Sequence, residues 1–382
     1  MKICLSLIFS LFMQILYAHE SSTDFAKWLE QGMQTYHIPG ISIAVIEDYK
    51  LIYSQGFGWA DKENHKPVTT DTLFQAGSIS KPVTAVAVLK TVQDNKLALD
   101  ENVNSFLKSW KVPANEYRKS QPITLRELLS HSAGFNVPGF LGYAKGEKLP
   151  SLLEVLDGVA PANSPAIRVS HPVRKEFIYS GGGYTVVQQL LIDTYKEPFP
   201  NLMAQLVLDP LAMSSSSFQQ PFPTADKNVA LPYRRTGLPL AGGPHTYVEE
   251  AAAGLWTKPQ DLAKFIISIQ KSLRGDQDQL LTQHSAELFS VLVQAESKDK
   301  KVQMGLGAVV SLNKDGKATK QGRYFAHAGQ NEGYRNLFIA STKTGNAIII
   351  MTNMSPPQDE IDKGWDFIYQ IVLILAQINH WK

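Results

Sequence analysis

Ser78 and Lys81 stand three residues apart in FQAGSISKPVTAVAVL, residues 74–89. A serine hydroxyl is a poor nucleophile until a neighbouring base takes its proton. An amine whose pKa is lowered by burial can be that base. The apolar run after Pro82 predicts a buried helix, and proline fits its first turn because no backbone donor is lost there. Residues three apart on a helix share a face, and the helix N-terminus favours negative charge developing beside it. The same S-x-x-K spacing recurs at Ser105–Lys108, Ser297–Lys300 and Ser311–Lys314, all in polar surroundings. Only Ser78 combines a preceding Gly77, a helix start and an apolar continuation. Two readings stand on spacing alone: an activated nucleophile, or a capping serine beside a lysine that snorkels to water.

Other chemistries are excluded more easily. The single cysteine, Cys4, lies in the N-terminal apolar segment, so disulfides, thiolate catalysis and cysteine–metal sites are not expected in the remaining chain. The nine histidines show no metal-ligand spacing, so no metal and no cofactor is expected. A net charge of +2 over 382 residues gives no electrostatic case for nucleic acid.

The elements that position Ser78 and Lys81 follow from periodicity. Residues 1–18, MKICLSLIFSLFMQILYA, have a positive start, an apolar stretch and a small residue at the end, the pattern of a signal peptide; export to the periplasm or medium is expected. Phe25, Trp28, Leu29 and Met33 recur at helical spacing. GISIAVIEDYKLIYSQGFG then reads as two strands around a turn at Glu47 to Lys50. Helical patterns broken by Pro- and Gly-rich loops fill the middle. Strand patterns return in MGLGAVVSL, GRYFAHAG, YRNLFIAST and NAIIIMTN, and an apolar helix closes the chain from about Asp359 to Asn379. The expected fold class is α+β: one antiparallel sheet built from both termini and covered by the terminal helices, with a mostly helical lobe inserted. In residue terms, one domain spans 19–382, with sheet parts at about 19–80 and 273–382 and the lobe at about 81–272.

GISIAVIEDYKLIYSQGFGWAD, FQAGSISKPVTAVAVLKTVQDNKLALDENV and ITLRELLSHSAGF resemble successive blocks of the class C β-lactamase and penicillin-binding-protein family of serine hydrolases. FIYSGGGYTVVQQLL, AAAGLWTKPQDLAKF and HAGQNEGYRNLFIAS continue the likeness in the same order. Six ordered blocks are far more specific than one triplet.

The resemblance implies that Ser78 is the acylated nucleophile and Lys81 its proton-transfer partner. The family's Y-x-N element maps to Tyr179-Ser180-Gly181, making Tyr179 the second member of the pair; on its own, Tyr179 reads equally as an ordinary buried tyrosine. Gly181 departs from the pattern, because a glycine cannot supply the asparagine's contact to a substrate amide. Gly181 to Gly183 are expected to form a tight loop before a helix beginning near Tyr184.

The family's K-T-G element has two candidates. A literal one, Lys343 to Gly345, falls at a hairpin tip about 25 Å from the preceding turn at ~3.3 Å per strand residue. The other, His327-Ala328-Gly329, precedes that turn and occupies the family's position, with histidine for lysine. His327 is expected to donate a hydrogen bond to Tyr179 or to substrate, and Gly329 to border the substrate. The backbone N–H groups of Ser78 and Gln330 are implied as the oxyanion hole.

The expected function is an exported serine hydrolase acting through an acyl-enzyme on an ester or a short D-amino-acid-containing peptide. β-Lactamase or DD-carboxypeptidase activity, and a catalytically weak penicillin- or cell-wall-peptide-binding protein, are the alternatives.

Overall fold

Alternating apolar residues in GISIAVIE and a turn at Asp48–Tyr49 build the first hairpin. Both turn residues have positive φ (46° and 61°), the geometry of the type I′ turn that matches strand twist. The turn joins β1 (Gly40–Glu47) to β2 (Lys50–Asp61). The computed structural model describes residues 24–118, 121–174, 176–225, 227–234, 236–292, 294–298, 302–310, 324–355 and 361–381. The expected signal peptide, Lys300 and the Ser311–Lys314 pair lie outside the described residues.

Strand β3 (Lys66–Pro67) completes the first part of the sheet. The second part follows much later, as β4 (Ala295–Glu296), β5 (Gln303–Met304), β6 (Val309–Val310), β7 (Tyr324–Asn331), β8 (Tyr334–Ser341) and β9 (Ala347–Thr352). The strand order is β3-β2-β1-β9-β8-β7-β6-β5-β4, with neighbours antiparallel. The seam between the two parts is β1 against β9, where Ile41 faces Thr352 and Ile46 faces Ala347. The α+β architecture with a sheet assembled from distant parts of the chain is therefore observed.

The sheet has two buried faces, and side chains alternate between them. Ile41, Ile43 and Val45 of β1 pack with Phe25, Leu29 and Met33 of helix α1 (24–35) and with Phe367, Ile368 and Ile371 of the last helix, Ile361–Ile378. Fully burying such a side chain is worth about 1.5–3 kcal/mol, and this layer covers the face away from the site. No described helix is long and apolar enough to cross a membrane. Ala44 and Ile46 point the other way, with Phe325, Phe338 and Met351, into the core shared with the helical part.

Helix α2 (Ser80–Gln93) runs through that core, buried at every residue from Ser80 to Leu89. A helix apolar on all sides belongs in an interior. Helix α3 (Gly181–Tyr195) begins three residues earlier than expected, so the loop reading of Gly181 to Gly183 is corrected. Ser180 caps it by accepting the Gly183 N–H at 3.0 Å. The N–H groups of Gly181 and Gly182 donate to Pro138 O and Val137 O, so tertiary partners satisfy the first turn. The short helix α4 (Glu250–Ala253) leads to α5 (Pro259–Arg274), which buries Leu262, Phe265, Ile266 and Ile269 at amphipathic spacing.

Candidate active site

The residues before Ser78 are fixed by a two-strand pair, Phe74–Gln75 against Trp256–Thr257, and by Ala76 N–H donating to Leu255 O at 2.8 Å. A single 3₁₀ turn, Gly77–Ile79, then carries Ser78 into α2. Ser80 Oγ donates to Gly77 O at 2.6 Å and accepts the Leu255 N–H at 3.0 Å. Ser78 is thus presented by a turn tied down on both sides, and it stays partly exposed. Gly77 has φ +56°, and a Cβ there would stand 2.6 Å from the backbone nitrogen of Gln330. The left-handed conformation disfavours a side chain there, and the close approach excludes one.

Lys81, one turn on, is 1% exposed. Its Nζ lies 3.0 Å from Ser78 Oγ and donates to Ala252 O of α4 at 2.8 Å. Among the described residues no carboxylate forms a salt bridge with it. Burial lowers its pKa from 10.5 to about 7. A lysine held near neutrality against a serine hydroxyl can accept its proton, and the snorkelling alternative does not describe this side chain.

Tyr179 approaches from the other side. Lys81 Nζ lies 5.1 Å from its ring centroid. The residue is partly exposed, while its hydroxyl is turned inward toward Ser78. Burial raises the phenol pKa, and the nearby Ser78 hydroxyl only partly offsets that. The phenol therefore keeps its proton at neutral pH.

Strand β7 forms the opposite wall. His327, Gly329 and Asn331 alternate toward the nucleophile, whereas Ala328 and Gln330 turn to the α1 side. A Cβ on Gly329 would stand 1.9 Å from Ala76 O, so only glycine lets the strand come this close. Asn331 Nδ2 donates to Gln75 Oε1 and Ala253 O, locking the strand to both segments that hold Ser78 and Lys81. Asn331 and Tyr334 close a two-residue turn, and bonded and non-bonded pairs alternate along an antiparallel ladder. Gln330–Arg335 is then a non-bonded pair, so the Gln330 N–H points out of the ladder, on the edge that Gly77 approaches. Arg335, fully buried and stacked over Trp365 at 4.6 Å, donates to Gln330 Oε1 at 3.2 Å from behind.

His327 is buried, and its Nδ1 sits 2.6 Å from Ala328 O. A carbonyl only accepts, so Nδ1 carries the proton and Nε2 presents a lone pair. Burial, then the Lys81 charge, lower its pKa to about 3. The ring is neutral, and its second nitrogen accepts rather than donates, which corrects the expected donor role. A cation for a substrate carboxylate is not supplied here. The literal Lys343-Thr344-Gly345 lies at the far end of β8, where Tyr49 N–H donates to Gly345 O and Tyr49 Oη to Lys343 O. It is not part of the site.

Gly181 lies in the first turn of α3, and a Cβ there would stand 3.0 Å from the Phe140 ring. The aromatic ring occupies part of the space an asparagine side chain would need.

Sequence reading singled out neither His131 nor the pair Glu249–Glu250. His131 packs on Tyr179 with ring centroids 4.4 Å apart. Its signal was the left-handed φ of 58°, which no sequence pattern announces. Glu249 is fully buried, and neither carboxyl oxygen has a hydrogen-bond partner among the described residues, with Tyr143 facing it at longer range. Glu250 accepts from Gln188 Nε2 at 3.0 Å. Burial raises the two carboxyls to about 7 and about 8. Adjacent acidic residues before an apolar AAAGLW were the visible clue.

A family model described as Beta-lactamase matches residues 25–373. Among curated relatives, Protein flp of Staphylococcus aureus (strain N315) is 24% identical over 259 residues, 65% of this chain and 49% of its own length. The chain thus spans about half the length of such relatives. Among solved structures, a D-amino acid amidase from Ochrobactrum anthropi SV3 superposes with a TM-score of 0.74 at 18% identity, covering 94% of this chain and 99% of its own. EstCE1, described as a hydrolase with promiscuous acyltransferase activity, gives 0.73 at 22% identity, with 94% and 99% coverage.

Proposed function

The chain belongs to the β-lactamase family, and on that premise we propose that it is an exported serine hydrolase that forms an acyl-enzyme on Ser78 with an ester or a short D-amino-acid-containing peptide. The observation that carries this is the buried, near-neutral Lys81 amine 3.0 Å from Ser78 Oγ.

In this reading the neutral amine takes the Ser78 proton as Oγ bonds to the substrate carbonyl carbon. The carbonyl electrons move onto oxygen, where the Ser78 and Gln330 N–H groups receive them. Collapse of this intermediate breaks the bond to the leaving group. Tyr179, protonated at rest, gives its proton to that group and is reprotonated from the Lys81 ammonium. Water then attacks the acyl carbon by the same route in reverse, returning Ser78 and releasing the acid. The opposite pKa shifts of the two groups favour Lys81 as the first base and Tyr179 as the donor.

Two features weigh against efficient β-lactam hydrolysis. Gly181 offers no side-chain amide, and the neutral His327 offers no cation for a carboxylate. The names of EstCE1 and the D-amino acid amidase agree with an ester or an amide as substrate. The N-terminal pattern of residues 1–18 supports export.

Intact-protein mass spectrometry after brief exposure to a short activated ester, and separately to a penicillin, tests the proposal. An adduct on wild type and none on Ser78→Ala is the expected result, with the ester turning over faster. Folded wild type that takes up neither reagent overturns it and favours a binding-only protein.

A further inference from the structure

We propose that His131 is a positioning residue that fixes Tyr179 against Ser78, bracketing its backbone on both sides and backing its ring. The proposal rests on the reading of Tyr179 as the proton donor that works with Lys81 beside Ser78. Three contacts carry it. His131 O accepts the N–H of Ile178, the residue before Tyr179, at 2.7 Å. His131 Nδ1 accepts the N–H of Ser180, the residue after it, at 3.1 Å. The imidazole itself lies 4.4 Å from the Tyr179 ring, centroid to centroid, at a 36° tilt.

An ordinary core histidine would be satisfied and relaxed. His131 is neither. Its backbone is in the left-handed region, φ 58°, which non-glycine residues avoid and which gathers at functional sites. With Nδ1 accepting, the neutral ring carries its proton on Nε2, and that buried nitrogen finds no hydrogen-bond partner among the described residues. Phe177 and Tyr184 pack around the same ring, at 5.7 and 5.3 Å, and close off its escape. The fold tolerates strain and an unmade hydrogen bond here, and in return Tyr179 has one available position. Burial, and then the Lys81 charge, keep the imidazole uncharged, so it adds no positive charge beside Lys81.

A double-mutant cycle separates positioning from packing. His131→Asn keeps an acceptor and tolerates the left-handed backbone while removing the ring. His131→Phe keeps a ring while removing the acceptor. Each is measured for ester hydrolysis with Tyr179 present and in Tyr179→Phe. With Tyr179 present, kcat is expected to fall by about 10- to 100-fold with KM within about twofold, the size of loss that small misplacements cause. In Tyr179→Phe the same substitutions should change kcat by less than about threefold, because the group they position is already gone. Equal losses in both backgrounds, or no loss with Tyr179 present, overturn the proposal. Should neither variant fold, ¹⁵N NMR of the imidazoles in the unmodified protein decides. A neutral His131 with its proton on Nε2 is expected, and a proton on Nδ1 would remove the Ser180 contact and the inference with it. A Ser78→Ala variant that retains full hydrolysis would instead refute the underlying hydrolase reading.

Discussion

Gly77 and Gln330 meet backbone to backbone: a Cβ on the glycine would lie 2.6 Å from the Gln330 nitrogen and 2.7 Å from its carbonyl carbon. The two amides assigned to the oxyanion are therefore held as a pair, one on the nucleophile turn and one on β7. Gly77→Ala forces these segments apart and strains a φ of +56°. The expected result is a fall in acylation rate of about 10²–10³-fold, the worth of one such donor. Stopped-flow measurement of the ester burst checks it, and a burst within about threefold of wild type would falsify the pairing.

Lys81 sets two pH dependences of opposite use. Ester acylation should rise through pH about 7 as the amine loses its proton, the value burial imposes on it. Stability should rise with pH as well, over a higher window. The folded pKa lies below the unfolded one, so between about 7 and 10.5 the unfolded chain holds a proton that the native chain has released. The cost of the buried charge is fully present below 7 and disappears by about pH 10.5. The shift corresponds to about 5 kcal/mol as an order of magnitude. Urea melts of Lys81→Met should show the variant more stable than wild type by several kcal/mol at pH 6, with the gap closing toward pH 10. A gap independent of pH would mean that the amine is not desolvated.

Glu249 works in the other direction. Its folded pKa of about 7 lies above the unfolded value of 4.5, so stability present at low pH is lost as pH rises through 7. Glu249→Gln should be near neutral in thermal melts at pH 5 and should stabilise by roughly 1–3 kcal/mol at pH 8, where the native carboxyl must ionise without a partner. Glu250, raised to about 8, leaves a residual decline in both proteins. Identical differences at the two pH values would count against a buried ionisable Glu249.

Restoring the family's asparagine should not restore a lactamase. Gly181→Asn places a side chain 3.0 Å from the Phe140 ring, and His327 still lacks a charge. We expect roughly 1–3 kcal/mol of destabilisation from overpacking and no gain in penicillin turnover. Pairing it with Phe140→Ala should relieve most of the stability loss. Nitrocefin assays and thermal melts of the single and double variants provide the comparison.

Local chemistry was legible in the sequence and tertiary chemistry was not. Ser78 and Lys81 declared themselves because three residues of helix bring them together. The β1–β2 hairpin was equally plain, its turn at Asp48–Tyr49 lying between alternating strands. Tyr179 and His327 lie far along the chain, and nothing in their own surroundings distinguished them from structural residues. Only the ordered family blocks pointed to them. The start of α3 was misread because Val137 and Pro138 supply the acceptors that let three glycines begin a helix. The tautomer of His327 was hidden for a similar reason, since it depends on a 2.6 Å contact with the adjoining carbonyl.

The seam between β1 and β9 bears on when this protein becomes reactive. Synthesis proceeds from the N-terminus, so Ser78 and Lys81 leave the ribosome well before β7 exists to bring the Gln330 amide. A partly made chain can hold the serine and its amine with no second donor for the oxyanion and no wall beside Tyr179. On the proposed reading, reactivity is thereby tied to completion of the fold, because the second oxyanion donor arrives only with the last three long strands.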